Sequence, residues 1–162
     1  MRHFIAISLL LMGVGCGRHR TTPVTPQSPN DALANFMAAV KANDLTRMGN
    51  LFGSTRGPAS TYENPDYLKR QLQTIHKYWD HAGYRVIEGP LPAAPLNSTF
   101  KNVPNQDRMR DYRVELQRSN GCVQVALLTL VQTDQGGWLV YDAHLESVGS
   151  PARCQPAAGT GP

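Results

Sequence analysis

Asp142 and His144 are the residues of this sequence whose types and spacing best suit acid–base chemistry. They continue an alternating pattern that starts at Trp138, and residues two apart share one face of a β-strand. On such a face, one group can act as a general base while the other orients it. His76 and Tyr112 lie on neighbouring predicted elements and could reach into the same site. The more common reason for this pattern is a solvent-exposed strand face with no catalytic role.

The short motifs that specify a cofactor or a catalytic metal are missing from the sequence. It contains no glycine-rich phosphate loop, no Gly-x-Ser-x-Gly elbow and no His-Glu-x-x-His motif. We therefore expect neither a cofactor nor a metal ion. The net charge of +4 comes from interspersed basic and acidic residues, with no long basic run. This arrangement is typical of a solvated surface and gives no reason to expect a nucleic-acid partner.

Residues 1–15 have the layout of a secretory signal. Arg2 gives a positive start, and an apolar run over residues 4–14, too short to span a bilayer comfortably, precedes Gly15 and Cys16. The four residues that end at Cys16, Gly-Val-Gly-Cys, resemble the lipobox of bacterial lipoproteins, although Gly13 stands where that family usually has Leu. The resemblance implies that Cys16 is lipidated and becomes the new N-terminus. Ordinary signal-peptidase cleavage, with Cys16 lost or free, is the alternative.

The segment after the lipobox predicts how the protein is held at the membrane. Gly17 is not acidic, which by resemblance to Gram-negative lipoproteins implies an outer-membrane anchor that faces the periplasm. Residues 16–29 are predicted to comprise the lipidated Cys16 and a flexible tether after it. The tether is predicted because the residues after the cysteine are rich in Pro, Thr and Ser. A folded domain at residues 30–148 follows. Residues 149–162 are predicted to be a frayed C-terminal tail.

Two further cysteines, Cys122 and Cys154, lie beyond the predicted tether. If Cys16 carries lipid, they remain as a pair in an oxidising compartment. The predicted turn at residues 134–137 folds the chain back so that residues near 148 lie opposite Cys122, which brings Cys154 within disulfide range. We therefore predict a Cys122–Cys154 disulfide, with two free thiols as the alternative. A metal site is less favoured because no Cys-x-x-Cys or His-x-x-x-His spacing accompanies them.

Three helices are predicted at the start of the folded domain. Asn30 or Asp31 can cap the first, the pair Asn43–Asp44 the second and Asn64 the third, while Gly83 is expected to end the third in a left-handed conformation. Apolar residues recur at helical spacing on each inner face. Those residues are Leu33, Phe36, Met37 and Val40; Leu45, Met48, Leu51 and Phe52; and Leu68, Leu72, Ile75 and Trp79.

A curved antiparallel sheet of about four strands is predicted to follow. The strands are a short one at residues 84–88, one from residue 111, one at residues 122–133 and one at residues 138–147. Asn120–Gly121 predicts a type I′ turn, which needs positive φ at both residues. The first long strand alternates, with Tyr112, Val114 and Leu116 on one face. The next strand is apolar on both faces, so we expect it to be central and buried. The fold class is therefore α+β.

Two stretches of this layout resemble nuclear transport factor 2-like domains, which are α+β cones. They are DALANFMAAVKANDLTRMGNLF, similar to the opening helix pair, and QTDQGGWLVYDAHLES, similar to the last hairpin. The resemblance covers residues 30–147 and implies a conical pocket between helices and sheet. Isomerase-like members usually place a polar residue on the inner face of the first helix, whereas that face here is apolar. The resemblance thus favours a hydrophobic ligand or none, with Phe36, Tyr112 and Trp138 as candidate pocket residues.

The sequence leads us to expect a membrane-anchored exported lipoprotein with a non-catalytic binding domain. Its partner would be a small hydrophobic ligand or an envelope protein. The alternative is a dehydratase- or isomerase-like enzyme that uses Asp142 and His144 on a small hydrophobic substrate. A third possibility is an interaction module that presents an exposed sheet face to an envelope partner.

Overall fold

The computed structural model describes residues 25–93 and 105–154 of the chain, so the predicted signal, Cys16 and most of the predicted tether lie outside the described residues. The α-helices are α1 (Pro29–Lys41), α2 (Leu45–Leu51), α3 (Pro65–Trp79) and the short α4 (Leu145–Val148). The strands are β1 (Gly53–Ser54), β2 (Gly57–Pro58), β3 (Gly83–Pro92), β4 (Met109–Gln117), β5 (Val123–Gln132) and β6 (Trp138–Asp142). Strands β3 to β6 form one antiparallel sheet in chain order, and β1 pairs with β2. The predicted α+β class is confirmed, while α4 was not predicted.

The helix starts depend on side-chain caps, and one of the three predicted caps was wrong. α1 is capped by Ser28, whose Oγ accepts a hydrogen bond from the backbone N–H of Asp31 at 3.1 Å. Pro29 then takes the first helical position, where its missing N–H costs nothing. The structure confirms Asp44 as the cap of α2 and Asn64 as the cap of α3.

α3 ends before Gly83, the residue that was predicted to end it. Its last residue is Trp79, and Gly83 instead begins β3 opposite Gln117. The last carbonyls of the helix are satisfied by Arg118, whose buried guanidinium donates to the carbonyl oxygens of Tyr78 and Asp80. A cation at a helix C-terminus also interacts favourably with the helix dipole. The turn between β4 and β5 is thereby fastened to the end of α3.

The core lies between the helices and one face of the sheet. Tyr112, Val114 and Leu116 of β4 are fully buried there against the apolar faces of α1 and α3, as their alternation predicted. β5 lies between β4 and β6, so its predicted central position is confirmed. The expectation that β5 is buried on both faces was wrong, because Val123 and Val125 are 52% and 44% exposed.

The β4–β5 and β5–β6 turns have the same hydrogen-bonding pattern. In the first, Gly121 N donates to Arg118 O and Arg118 N donates to Cys122 O; in the second, Gly136 N donates to Thr133 O. Gly121 and Gly136 have φ of 79° and 88°. Because Asn120 does not have a positive φ, the predicted type I′ turn was wrong. Each turn instead places a single glycine in the left-handed conformation.

The residues just before α1 pack against the start of β6. Pro26 is buried, and its carbonyl oxygen accepts a hydrogen bond of 2.8 Å from the backbone N–H of Trp138. A side chain at Gly137 would collide with Thr25, so the glycine allows the two segments to approach closely. The chain therefore contacts the sheet before it enters the first helix.

Candidate functional site

Asp142 and His144 do not share a strand face, because β6 ends at Asp142 and the chain turns into α4. His144 has a φ of 21°, which takes it out of the strand. Asp142 Oδ1 accepts from the backbone N–H of His144 at 3.0 Å. Its other oxygen lies 3.8 Å from His144 Nδ1, which is beyond hydrogen-bond distance. The predicted strand that continued to Ser147 was therefore wrong, and the two groups do not form the expected base and orienter.

His144 is buried in a hydrogen-bond network of its own. Its Nε2 lies 2.8 Å from Thr129 Oγ1, and Thr129 Oγ1 donates to Asp111 Oδ1 at 2.6 Å. Its Nδ1 lies 3.1 Å from Glu146 Oε1. Both ring nitrogens of His144 therefore have hydrogen-bond partners inside the protein, Thr129 at Nε2 and Glu146 at Nδ1.

This network makes His144 a structural group. A buried ring with both nitrogens held by protein groups presents neither of them to a substrate. Only 3% of His144 is exposed. The pKa of Glu146 is lowered, first by its own backbone N–H and also by the hydrogen bond and charge of His144. Asp142 remains half exposed and is the member of the predicted pair that can reach a ligand.

The predicted pocket residues lie in the core. Phe36 and Tyr112 are fully buried, and Trp138 is buried beneath the guanidinium of Arg110 at 5.8 Å. Tyr112 donates its hydroxyl to Asn30 Oδ1 at 2.6 Å, and burial raises the pKa of Tyr112 to about 12. In this conformation the three side chains pack against protein and present little surface to a ligand. His76, the fourth side chain considered, lies in the last turn of α3 and is partly buried.

Cys122 and Cys154 are in disulfide contact, with their Cα atoms 5.8 Å apart. That separation lies within the range that a disulfide needs. The chain reaches Cys122 by a different route from the predicted one, through α4 and a single 3-10 turn at Pro151–Arg153. The side chain of Asn120 supports the contact by donating to the carbonyl oxygen of Cys154 at 3.2 Å.

A surface groove that the sequence analysis missed lies between α3 and the end of β6. It has two adjoining lobes of about 320 Å³ and about 440 Å³, a size usual for ligand sites. Both lobes are lined by Phe52, Tyr67, Gln71 and Asp142. The smaller lobe adds Arg70, Thr74 and Leu145, and the larger adds Arg56, Tyr62, Glu63 and Tyr141. We call this surface the α3–β6 groove.

Aromatic rings and charged groups both line the α3–β6 groove. Tyr67 is 54% and Tyr141 is 43% exposed, although both carry large apolar rings. The guanidinium of Arg56 lies over the ring of Tyr62, 4.4 Å from the ring centroid, and the Tyr62 hydroxyl donates to Ser54 at 3.1 Å. One sequence signal could have indicated this surface. Tyr67 stands one residue before the buried Leu68, so it interrupts an otherwise polar face of α3.

Comparisons with known proteins add no assignment to this geometry. No protein-family model matches the sequence, and no curated protein and no solved structure matches it either. Within residues 25–93 and 105–154, no three metal-binding side chains converge on one point. Over the same residues, no helix is long and apolar enough to cross a membrane. The α3–β6 groove is therefore judged on its own residues.

Proposed function

We propose that this chain is an exported binding protein that is held at the membrane by a lipid on Cys16 and binds its ligand in the α3–β6 groove without chemistry. One observation carries the proposal: His144 is buried, and both of its ring nitrogens are held by groups inside the protein, Thr129 and Glu146. The base-and-orienter pair on which the dehydratase or isomerase alternative depended is therefore not formed, because Asp142 Oδ2 lies 3.8 Å from His144 Nδ1. Asp142 lines an open groove, where it can accept hydrogen bonds from a ligand.

The anchor and the location rest on the sequence of the first 29 residues. The lipobox-like end at Cys16 supports lipidation, and the non-acidic Gly17 supports an outer-membrane position that faces the periplasm. The contact between Cys122 and Cys154 suits an oxidising compartment of this kind. The order of the elements, with α1 to α3 before four antiparallel strands, supports the proposal of a nuclear transport factor 2-like cone.

Intact-mass analysis of the native protein from the membrane fraction tests this function. We expect a chain that starts at an acylated Cys16 and is two daltons lighter than its reduced form. A Cys16→Ala variant should lose the acyl mass and leave the membrane fraction. A native protein that retains residues 1–15, carries no acyl chain and diffuses freely would overturn the proposal.

A further inference from the structure

The α3–β6 groove carries two guanidinium groups that point to an anionic ligand. Arg56 lines the larger lobe and Arg70 the smaller one. No carboxylate of the described residues lies within 4.0 Å of either guanidinium. The guanidinium of Arg56 lies over the ring of Tyr62, 4.4 Å from its centroid, and this cation–π contact does not use up its N–H donors. A planar guanidinium prefers carboxylate or phosphate groups, which it binds with two parallel hydrogen bonds.

The carboxylate side chains that line the groove indicate whether the anionic groups of the ligand are phosphates or carboxylates. Asp142 lines both lobes, and Glu63 lines the larger one beside Arg56. A chain with a phosphate at every unit would bring dense negative charge against these two groups, which is unfavourable. A ligand with scattered carboxylates and many hydroxyls avoids that repulsion. Its hydroxyls can donate to Asp142 and Glu63 while its carboxylates accept from the arginines.

The exposed tyrosine rings favour a ligand that has flat apolar faces of its own. Tyr67 lines both lobes, and Tyr141 lines the larger one. Tyrosine combines a large apolar ring with a polar tip, which suits contacts to a ligand that is itself part apolar and part hydroxylated. The faces of pyranose rings carry C–H groups of this kind, whereas a flexible acidic peptide offers no repeated flat face. Two adjoining lobes that share Tyr67 fit successive rings of one chain.

We propose that the α3–β6 groove binds a carboxylate-bearing oligosaccharide, with guanidiniums on the acid groups, carboxylates on the hydroxyls and tyrosine rings against the sugar faces. This inference rests on the proposed function, because it assigns a ligand class to the same groove.

Calorimetric titration of the detergent-solubilised full chain with three hexameric probes tests the assignment. The probes are oligogalacturonate, neutral cellohexaose and hexaglutamate. We expect oligogalacturonate to bind most tightly and to bind more weakly as salt is added. Arg56→Gln and Arg70→Gln should each weaken binding by about tenfold, because each removes a charge-assisted hydrogen bond. Tyr67→Ala should weaken it by about fivefold, because it removes an exposed ring face.

Arg113→Gln is the matched control. Arg113 is an exposed arginine of β4 that pairs with Glu88 at 3.5 Å and does not line the groove. Its loss should leave oligogalacturonate binding unchanged. Thermal unfolding of every variant is measured as well, and an unchanged unfolding temperature shows that the fold is intact. No binding of oligogalacturonate, equal binding of cellohexaose, or tighter binding of hexaglutamate would each overturn the ligand class.

The outcomes also separate this inference from the proposed function. If an acylated Cys16 is found but oligogalacturonate does not bind, only the ligand class fails. If oligogalacturonate binds and is converted to shorter products, the ligand class holds and the binding-only function fails. Mass analysis of the titration mixture detects such products.

Discussion

Nε2 of His144 lies 2.8 Å from Oγ1 of Thr129, a buried contact between the chain leaving β6 and the middle of β5. It forms where β6 stops pairing, next to a register shift between Thr129 and Leu130. The chain then forms α4 instead of continuing β6. Ser147 of α4 accepts a hydrogen bond from the backbone N–H of Leu127 at 2.9 Å. The histidine thus supplies a side-chain contact beyond the point where the strand ends.

Thr129→Val removes the hydroxyl but keeps the shape of the side chain. Nε2 of the buried His144 then loses its hydrogen-bond partner, so we expect a loss of about 1–3 kcal/mol in the free energy of unfolding. Thr129→Ser keeps the hydroxyl and serves as the control, with a smaller loss from the missing methyl group. Urea denaturation measures both variants. Equal stability of the two variants would show that the hydrogen bond has no net value.

Arg118→Met keeps much of the buried aliphatic part of the side chain but removes the guanidinium that caps the C-terminus of α3. The carbonyl oxygens of Tyr78 and Asp80 lose a charged donor, so we expect a loss of about 2–3 kcal/mol. Arg85→Met is the control, because Arg85 is exposed and its ion pair with Glu115 at 2.8 Å is worth about 0–1 kcal/mol. Chemical denaturation should therefore separate the two variants. Losses of the same size would contradict the role of Arg118 as a cap.

His81 makes the protein less stable in acid. Burial lowers the pKa of His81 below its ordinary value of 6.5, against the opposing effect of its contact with the carbonyl oxygen of Trp79. The unfolded chain therefore binds a proton at a pH where folded His81 does not. This stability is fully present above the unfolded pKa and falls as the pH drops below it.

The matched variant for this effect is His81→Asn, because its amide N–H can still donate to the carbonyl oxygen of Trp79 but does not titrate. From about pH 7.5 to about pH 5.5, we expect the native protein to lose roughly 1 kcal/mol more stability than the variant. Denaturation at a series of pH values measures the difference. Parallel curves for the two proteins would contradict the prediction.

Cys122→Ser combined with Cys154→Ser tests the disulfide. The two cysteines are 32 residues apart in sequence, and a covalent loop of this length stabilises by about 3–4 kcal/mol in the chain-entropy model. We expect the double variant to lose this amount, measured by denaturation without reductant. The native protein with reductant should behave like the variant, and a native protein unaffected by reductant would contradict the prediction.

The sequence predicted the parts of the fold that local chemistry decides. Asp44 and Asn64 cap their helices because their side-chain oxygens reach N–H groups two or three residues away. The alternation of Tyr112 with Val114 and Leu116 indicated the buried face of β4 correctly, because its period is that of a strand. These signals need no knowledge of the rest of the chain.

The errors lie where contacts distant in sequence decide the structure. The alternating pattern after Trp138 continues past Asp142, yet β6 ends there because His144 is drawn to Thr129 on another strand. α3 ends before Gly83 because Arg118, far along the chain, satisfies its carbonyls. The α3–β6 groove went unnoticed for the same reason, since α3 and the end of β6 meet only in the folded chain.

The hydrogen bond between Pro26, just before α1, and Trp138, at the start of β6, affects how the protein responds to a pulling force. Any force applied to the chain ahead of Thr25 reaches the hydrogen bond from Trp138 N to Pro26 O before it reaches α1. The load therefore passes into β6, whose ladder to β5 shares it among several bonds. While this hydrogen bond holds, the sheet bears part of a pull from the N-terminal side that would otherwise act on the first helix alone.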